Sequence, residues 1–222
     1  MGFGFDAPVT ADLIDEVRAF YRAQQTPVAA IQLAPSVLPE DWSDICAKAG
    51  LTPGPSVVKM ACETDTEVRH AAPASSEPGV RVAPVTEEDT AAWGTVMMRG
   101  FEMPEGHLAE MAAASVGREG WHPFGTWIED ELVGVATMRV RDTVAQFFAG
   151  ATLPHAGRRG GQSALLAARA RVAQEAGCEW LVAETGTEAP GMHNSSLHNL
   201  HRMGFRVLYE RQAWLWNAAT NG

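Results

Sequence analysis

Apolar residues recur at helical spacing from Asp12 to Gln24, where Leu13, Ile14, Val17, Phe20 and Tyr21 make one stripe. This predicts a helix. A strand is predicted over Val28–Leu33, a second helix over Pro39–Ala49 closed by Gly50, and a second strand over Ser56–Cys62. Residues 65–79 are short of large apolar side chains and rich in small residues and proline, the composition of a linker. Beyond it the pattern predicts a strand over Val80–Val85, two helical stretches, and strands over Gly125–Glu129 and Leu132–Val140. The apolar run Val144–Leu153 stops at Pro154. A helix follows over Gln162–Ala176, closed by Gly177. The pattern ends with a buried strand (Trp180–Thr185), a short helix (Asn194–Met203) and a long strand from Gly204-Phe205 to Trp216.

The order helix, strand, helix, Gly-apolar, strand therefore occurs twice, with Gly50-Leu51 where Gly204-Phe205 recurs. Residues 1–64 read as a degenerate copy of the C-terminal run. Chance similarity between two short α/β segments is the other reading. About 65 residues make a marginal core alone, so this segment is expected to pack against the rest. The expected organisation is a half-domain at 1–64, a linker at 65–79 and a main domain at 80–217.

The stretch Pro154–Leu166, P-H-A-G-R-R-G-G-Q-S-A-L-L, carries the clearest chemistry. A strand, a Gly/Arg turn and a helix start make a phosphate grip. Glycine lets backbone come close, the first helical N–H groups are unpaired, and the helix dipole favours an anion. Arg158 and Arg159 add positive charge. A plain connection is the bland alternative. The turn is not a P-loop, because the Gly-Lys-Ser/Thr ending is missing, and no G-x-G-x-x-G is present. The first helix of the N-terminal run has no such turn before it, so no second cofactor site is expected there.

The same segment resembles the acyl-coenzyme A (CoA) region of the GNAT superfamily of N-acetyltransferases, V-x-P-x-x-R-G-x-G-x-G/A-x-x-L-L. Thr152, Leu153 and Pro154 stand at V-x-P, Gly160 at the central glycine and Gln162 at the last Gly/Ala, followed by Ala164, Leu165 and Leu166. Two positions depart: Gly157 stands where the family has Arg/Gln, and Arg158 where it has the next glycine. The Asn-containing helix ending in Gly204-Phe205 extends the resemblance, which covers roughly residues 79–217. It implies an α/β (α+β) GNAT fold: a central mixed, mostly antiparallel sheet flanked by helices, here with a small N-terminal α/β half-domain.

Composition fits. With 17 Lys plus Arg against 27 Asp plus Glu in 222 residues, the formal net charge is −10. That disfavours nucleic acid or an anionic membrane and mildly favours a neutral or cationic substrate, although acidity also simply aids solubility. Cys46, Cys62 and Cys178 are scattered and form no metal motif. No signal peptide and no membrane span are expected, and a cytoplasmic location is. A homodimer is left open.

The resemblance implies acetyl-CoA, or another acyl-CoA, as co-substrate without a metal, and direct acyl transfer to the amine of a small molecule. Backbone around Ala151, Thr152 and Leu153 would pair with the pantetheine arm. Arg158, Arg159, Gly160, Gly161, Gln162 and Ser163 would hold the pyrophosphate, with Asn194 and Asn199 bonding along the arm. Glu184 is the candidate base. Its other reading is a structural group bonding to the Thr187–His193 loop. The family's acid is a tyrosine at the position of Leu200, which cannot donate a proton. Ser195, Ser196, His193, His198 and Tyr209 are nearby alternatives, and each also reads as an ordinary polar residue facing solvent. The acceptor pocket is expected at Phe101, Glu102, His107, Trp121 and Phe124, partly apolar with one or two carboxylates. Trp127 reads as core. A GNAT module that only binds acyl-CoA, and a protein-lysine acetyltransferase, are the competing functions.

Overall fold

The Asp12 stripe becomes a helix because both ends are specified locally. In the computed structural model, which describes residues 3–65 and 79–219, helix α1 (Ala11–Ala23) starts at Thr10, whose hydroxyl accepts from the Leu13 N–H at 3.2 Å. Its stripe buries Ile14. Strand β1 (Val28–Gln32) follows, then α2 (Trp42–Ala49) and β2 (Thr52–Glu63). The next elements are β3 (Val80–Pro84), α3 (Thr90–Gly100), α4 (His107–Ala113), β4 (Trp121–Ile128), β5 (Glu131–Arg141) and β6 (Val144–Thr152). The chain continues through α5 (Gly161–Glu175), β7 (Trp180–Gly186), α6 (Ser195–Arg202) and β8 (Arg206–Asn217).

The strands form one mixed sheet in the order β1-β8-β2-β7-β6-β5-β4-β3. Strands β3 to β6 pair antiparallel, β4 with β5 and β5 with β6 through short turns and β3 with β4 across the α3-α4 connection. Strands β6 and β7 are parallel, joined through α5. Helices flank the sheet, so β4 and β5 are buried along most of their length and read as apolar runs, not as alternation.

By contacts the chain divides into two units that are not contiguous in sequence. One is Met1–Lys59, Thr185–Asn194 and Val207–Gly222; the other is Met60–Glu184 with Ser195–Arg206. This differs from the expected division at 1–64 and 80–217. The reason is strand pairing: β1 runs antiparallel to β8, with Val28 opposite Asn217 and Gln32 opposite Ala213. The N-terminal segment thus builds its core around the last strand. Trp216 is completely buried among Val9, Ile14, Ile31, Trp42 and Leu51. The expected linker lies outside the described residues except at its two ends.

The second unit has its own core of Trp93, Val96, Met97, Trp127, Val135 and Leu153. Trp127 is core, as its strand position implied. A smaller cluster of Phe124, Ala136 and Leu165 ties α5 to the sheet. All three cysteines are buried. Burial raises the pKa of Cys46 and Cys178, as suits packed thiols and not nucleophiles.

Candidate functional site

The site starts from a break in a ladder. The parallel pairing of β6 with β7 runs from Val144↔Trp180 to Gln146↔Val182 and stops. Beyond Gln146, β6 has no ladder partner on the β7 side. On its other side, β6 keeps pairing with β5 but with a shifted register: Thr137 faces Phe148 and Val135 faces Ala151. Ala149 and Gly150 thus oppose Ala136 alone, a β-bulge, and Ala149 has φ +50°. A groove of about 240 Å³ opens there. Its walls are β6 from Phe147 to Thr152, Gln162, Leu166 and Arg169 of α5, Ala183 and Glu184 of β7, and Ser195, Ser196, Asn199 and Leu200 of α6, with Gly100 at the end of α3. Gly100 is required by close approach: a Cβ there would stand 2.8 Å from the Ala151 Cβ.

At one end of β6 the chain enters the Gly/Arg turn. Gly160 is the N-cap of α5 at φ +81°, and no side chain caps the helix. The Gly157/Arg158 exchange has a clear structural outcome. Arg158 adopts φ +63°, left-handed backbone that favours glycine, whereas Gly157 at φ −63° needs no glycine. Arg158 is exposed and Arg159 half-buried. The Gln162 side-chain amide donates to Thr152 Oγ1 at 2.6 Å, tying the helix start to the end of β6.

Of the expected cofactor residues, Ala151, Thr152, Gln162 and Asn199 line the groove. Gly160, Gly161 and Ser163 lie at the helix start. Leu153 does not fit its expected role: it is buried in the core, and its N–H donates to Val133 O at 2.8 Å. Asn194 is committed elsewhere, because its side-chain amide donates to Thr185 Oγ1 at 3.2 Å and to Gly186 O at 2.6 Å, and its N–H to Glu188 Oε2. It closes the loop after β7 and is not on the groove wall. Glu184 is half-buried on that wall. Leu200 is there too, fully buried, so no hydroxyl stands at that position. Ser195 and Ser196 also line the groove. His193 and His198 are exposed, and Tyr209 lies in the other unit.

Of the expected acceptor residues, Phe124 is the one that the structure corrects. Phe101, Glu102 and His107 are exposed, and His107 Nδ1 faces Glu110 at 3.6 Å. Phe124 is core beneath α5, because β4 is covered on both faces and its inward position 124 packs on Leu165. Trp121 lines a recess. That recess, about 220 Å³, is walled by Trp93, Met97, Met111, Trp121, Phe148 and Ala149, with Ser115, Arg118 and Thr137 as its polar groups. Its wall carries no carboxylate. Trp121 stacks on Phe148 with centroids 5.6 Å apart. Thr137 is 3% exposed and its hydroxyl has no hydrogen-bond partner. Phe148 and Ala149 line both the recess and the groove. His122, the neighbour of Trp121, has its pKa lowered by burial.

No protein-family model matches the chain, and none of the curated proteins does. Solved structures do match. A GCN5-related N-acetyltransferase from Sphaerobacter thermophilus superposes with TM-score 0.70 at 14% identity, over 92% of this chain and 66% of that one. One from Kribbella flavida gives 0.68 at 14%, over 96% and 78%. A tandem GNAT protein from the clavulanic acid biosynthesis pathway gives 0.65 at 14%, over 93% and 69%. At these identities the likeness is one of backbone architecture, and the fold of this chain is that of the GCN5-related N-acetyltransferases.

Proposed function

We propose that this protein is an acyl-CoA-dependent N-acyltransferase, acetyl-CoA being the simplest donor, acting on a small amine with an apolar body. The observation that carries the reading is the unpaired stretch of β6 that opens a groove leading to an uncapped helix start beside two arginines. An extended amide-bearing arm can add to β6 there as a short strand would. A pyrophosphate suits the first turn of α5, with Arg158 and Arg159 beside it.

The thioester end of the arm would then lie at the bulge, where Phe148 and Ala149 line both groove and recess. The recess takes the acceptor, and its apolar walls favour an aromatic or aliphatic body over a polycation. Glu184 accepts the proton that the attacking ammonium must lose, directly or through a water. The tandem GNAT among the similar structures supports reading residues 1–64 as a degenerate half-copy.

Leu200 favours one second reading, a module that binds acyl-CoA without turnover. Steady-state release of free CoA from acetyl-CoA with a panel of amines separates the two. Turnover with apolar primary amines supports the enzyme. Saturable acetyl-CoA binding with no amine-dependent CoA release supports the binding module. A preference for lysine peptides would redirect the reading to protein substrates.

A further inference from the structure

Among the described residues, Arg169 is the only charged side chain buried in the core, at 3% exposed. It lies on the groove wall. Its Nε donates to Leu165 O at 3.2 Å, and its Nη1 donates to Thr137 O at 3.2 Å and Phe148 O at 3.4 Å. Thr137 and Phe148 are the pair just before the bulge. The guanidinium carbon is 4.4 Å from the Phe147 ring centroid. No carboxylate is bonded to Arg169. Burial pushes its pKa down to about 9, with no opposing charge to offset it, which leaves it cationic at neutral pH. A buried cation without an anion is an expensive arrangement that a bound anion relieves.

Position says which anion. Arg169 lies eight residues into α5 from Gly161, about 12 Å along the helix. Phe148 lies four residues back along β6 from Thr152, about 13 Å at strand rise. Because α5 runs back along β6, the guanidinium stands level with the bulge and far from the Gly/Arg turn. Arg158 and Arg159 are therefore the cations of the phosphate end, and Arg169 is the cation of the reacting end.

We propose that Arg169 is the fixed counter-charge for the departing CoA thiolate, in a cavity whose wall has Leu200 and offers no proton donor at that position. The inference rests on the acyltransferase reading. In the step, the amine nitrogen bonds to the thioester carbon and the C–S bond breaks with its electron pair on sulfur. Of the two protons the ammonium loses on becoming an amide, one passes to Glu184 or water before the attack and the other to water as the C–S bond breaks. The sulfur leaves as thiolate beside the guanidinium and takes its proton from solvent on release.

The test titrates the thiol of CoA bound to the full chain, by thiolate ultraviolet absorption against pH. The bound thiol should titrate at least about one pH unit below free CoA, an opposite charge within about 4–6 Å lowering a pKa by about 1–3 units. Arg169→Met should return it to the free value or above while CoA still binds. Arg169→Lys should keep most of the shift. A purely structural arginine would change stability and leave the thiol pKa of the folded, CoA-bound variant unmoved, which overturns the proposal. If Arg169→Met does not fold, the wild type and Arg169→Lys decide: a wild-type bound thiol titrating no lower than free CoA also overturns it. Absence of CoA binding by the wild type would instead refute the acyltransferase reading itself.

Discussion

In the run α1-β1-α2-β2, the first helix stops with Gln25 at φ +54° and the Thr26 N–H on Tyr21 O at 3.0 Å. In α5-β7-α6-β8, Gly177 stands at φ +75° and the Cys178 N–H bonds Ala173 O at 2.9 Å. The second helices agree as closely. Gly50 at φ +64° is followed by the Leu51 N–H on Cys46 O, and Gly204 at φ +91° by the Phe205 N–H on Leu200 O. Strands β1 and β7 bury their second and fourth residues, so Gln32 in one corresponds to Glu184 in the other. The helix starts differ. Thr10 caps α1 with its own hydroxyl, whereas Gly160 leaves the first amides of α5 without a side-chain cap. The two runs share these local signals and part at the first helix start, which is capped by a side chain in one and not in the other.

The largest expected effect comes from making β7 resemble β1. Glu184→Gln keeps shape and most hydrogen bonds but cannot take the amine's proton. The turnover number should fall roughly 10²–10⁴-fold, with CoA affinity held and partial recovery as pH rises. Parent-like turnover across the pH range, or loss of CoA binding in step with rate, would remove Glu184 from the chemistry.

Next comes the cap. Gly160→Asp places a side chain at φ +81° and a carboxylate where phosphate approaches. CoA affinity measured by isothermal titration should weaken by about 100-fold, near 2.7 kcal/mol, with the far-ultraviolet dichroism unchanged. The same titration of the parent should give one CoA per chain. Two per chain would mean that the capped run binds as well, and the comparison would fail.

The smallest effect is at Arg158. Arg158→Gly removes the left-handed strain, so thermal unfolding should show a gain of about 1 kcal/mol. It also removes one exposed charge, so CoA affinity should drop only about threefold and the drop should shrink in high salt. An unchanged melting temperature would show that the turn holds φ +63° at no cost.

Most elements were legible in the sequence because local signals set them: the Thr10 cap, the glycines at 50, 177 and 204, and the stop at Pro154. The groove was legible through its turn. Arg169 was not, although it sits four residues after Leu165 and four before Ala173, on the buried stripe of α5. A charge on that stripe was the signal, masked by exposed Arg171 beside it. Phe124 was misread because an aromatic next to Trp121 suits a pocket and a core equally, and only the packing of α5 on β4 decides. The share of β8 in the N-terminal core depends on pairing between ends of the chain, which no local pattern carries.

An unzipped ladder inside a sheet is also an edge, and edges invite aggregation. Here the hazard is confined by cover. The open positions of β6 face a groove whose walls are side chains of α5, β7 and α6, and an edge covered by its own helices is one that another sheet does not reach. The break in the ladder thus lies inside the sheet, sheltered by the elements on either side of it.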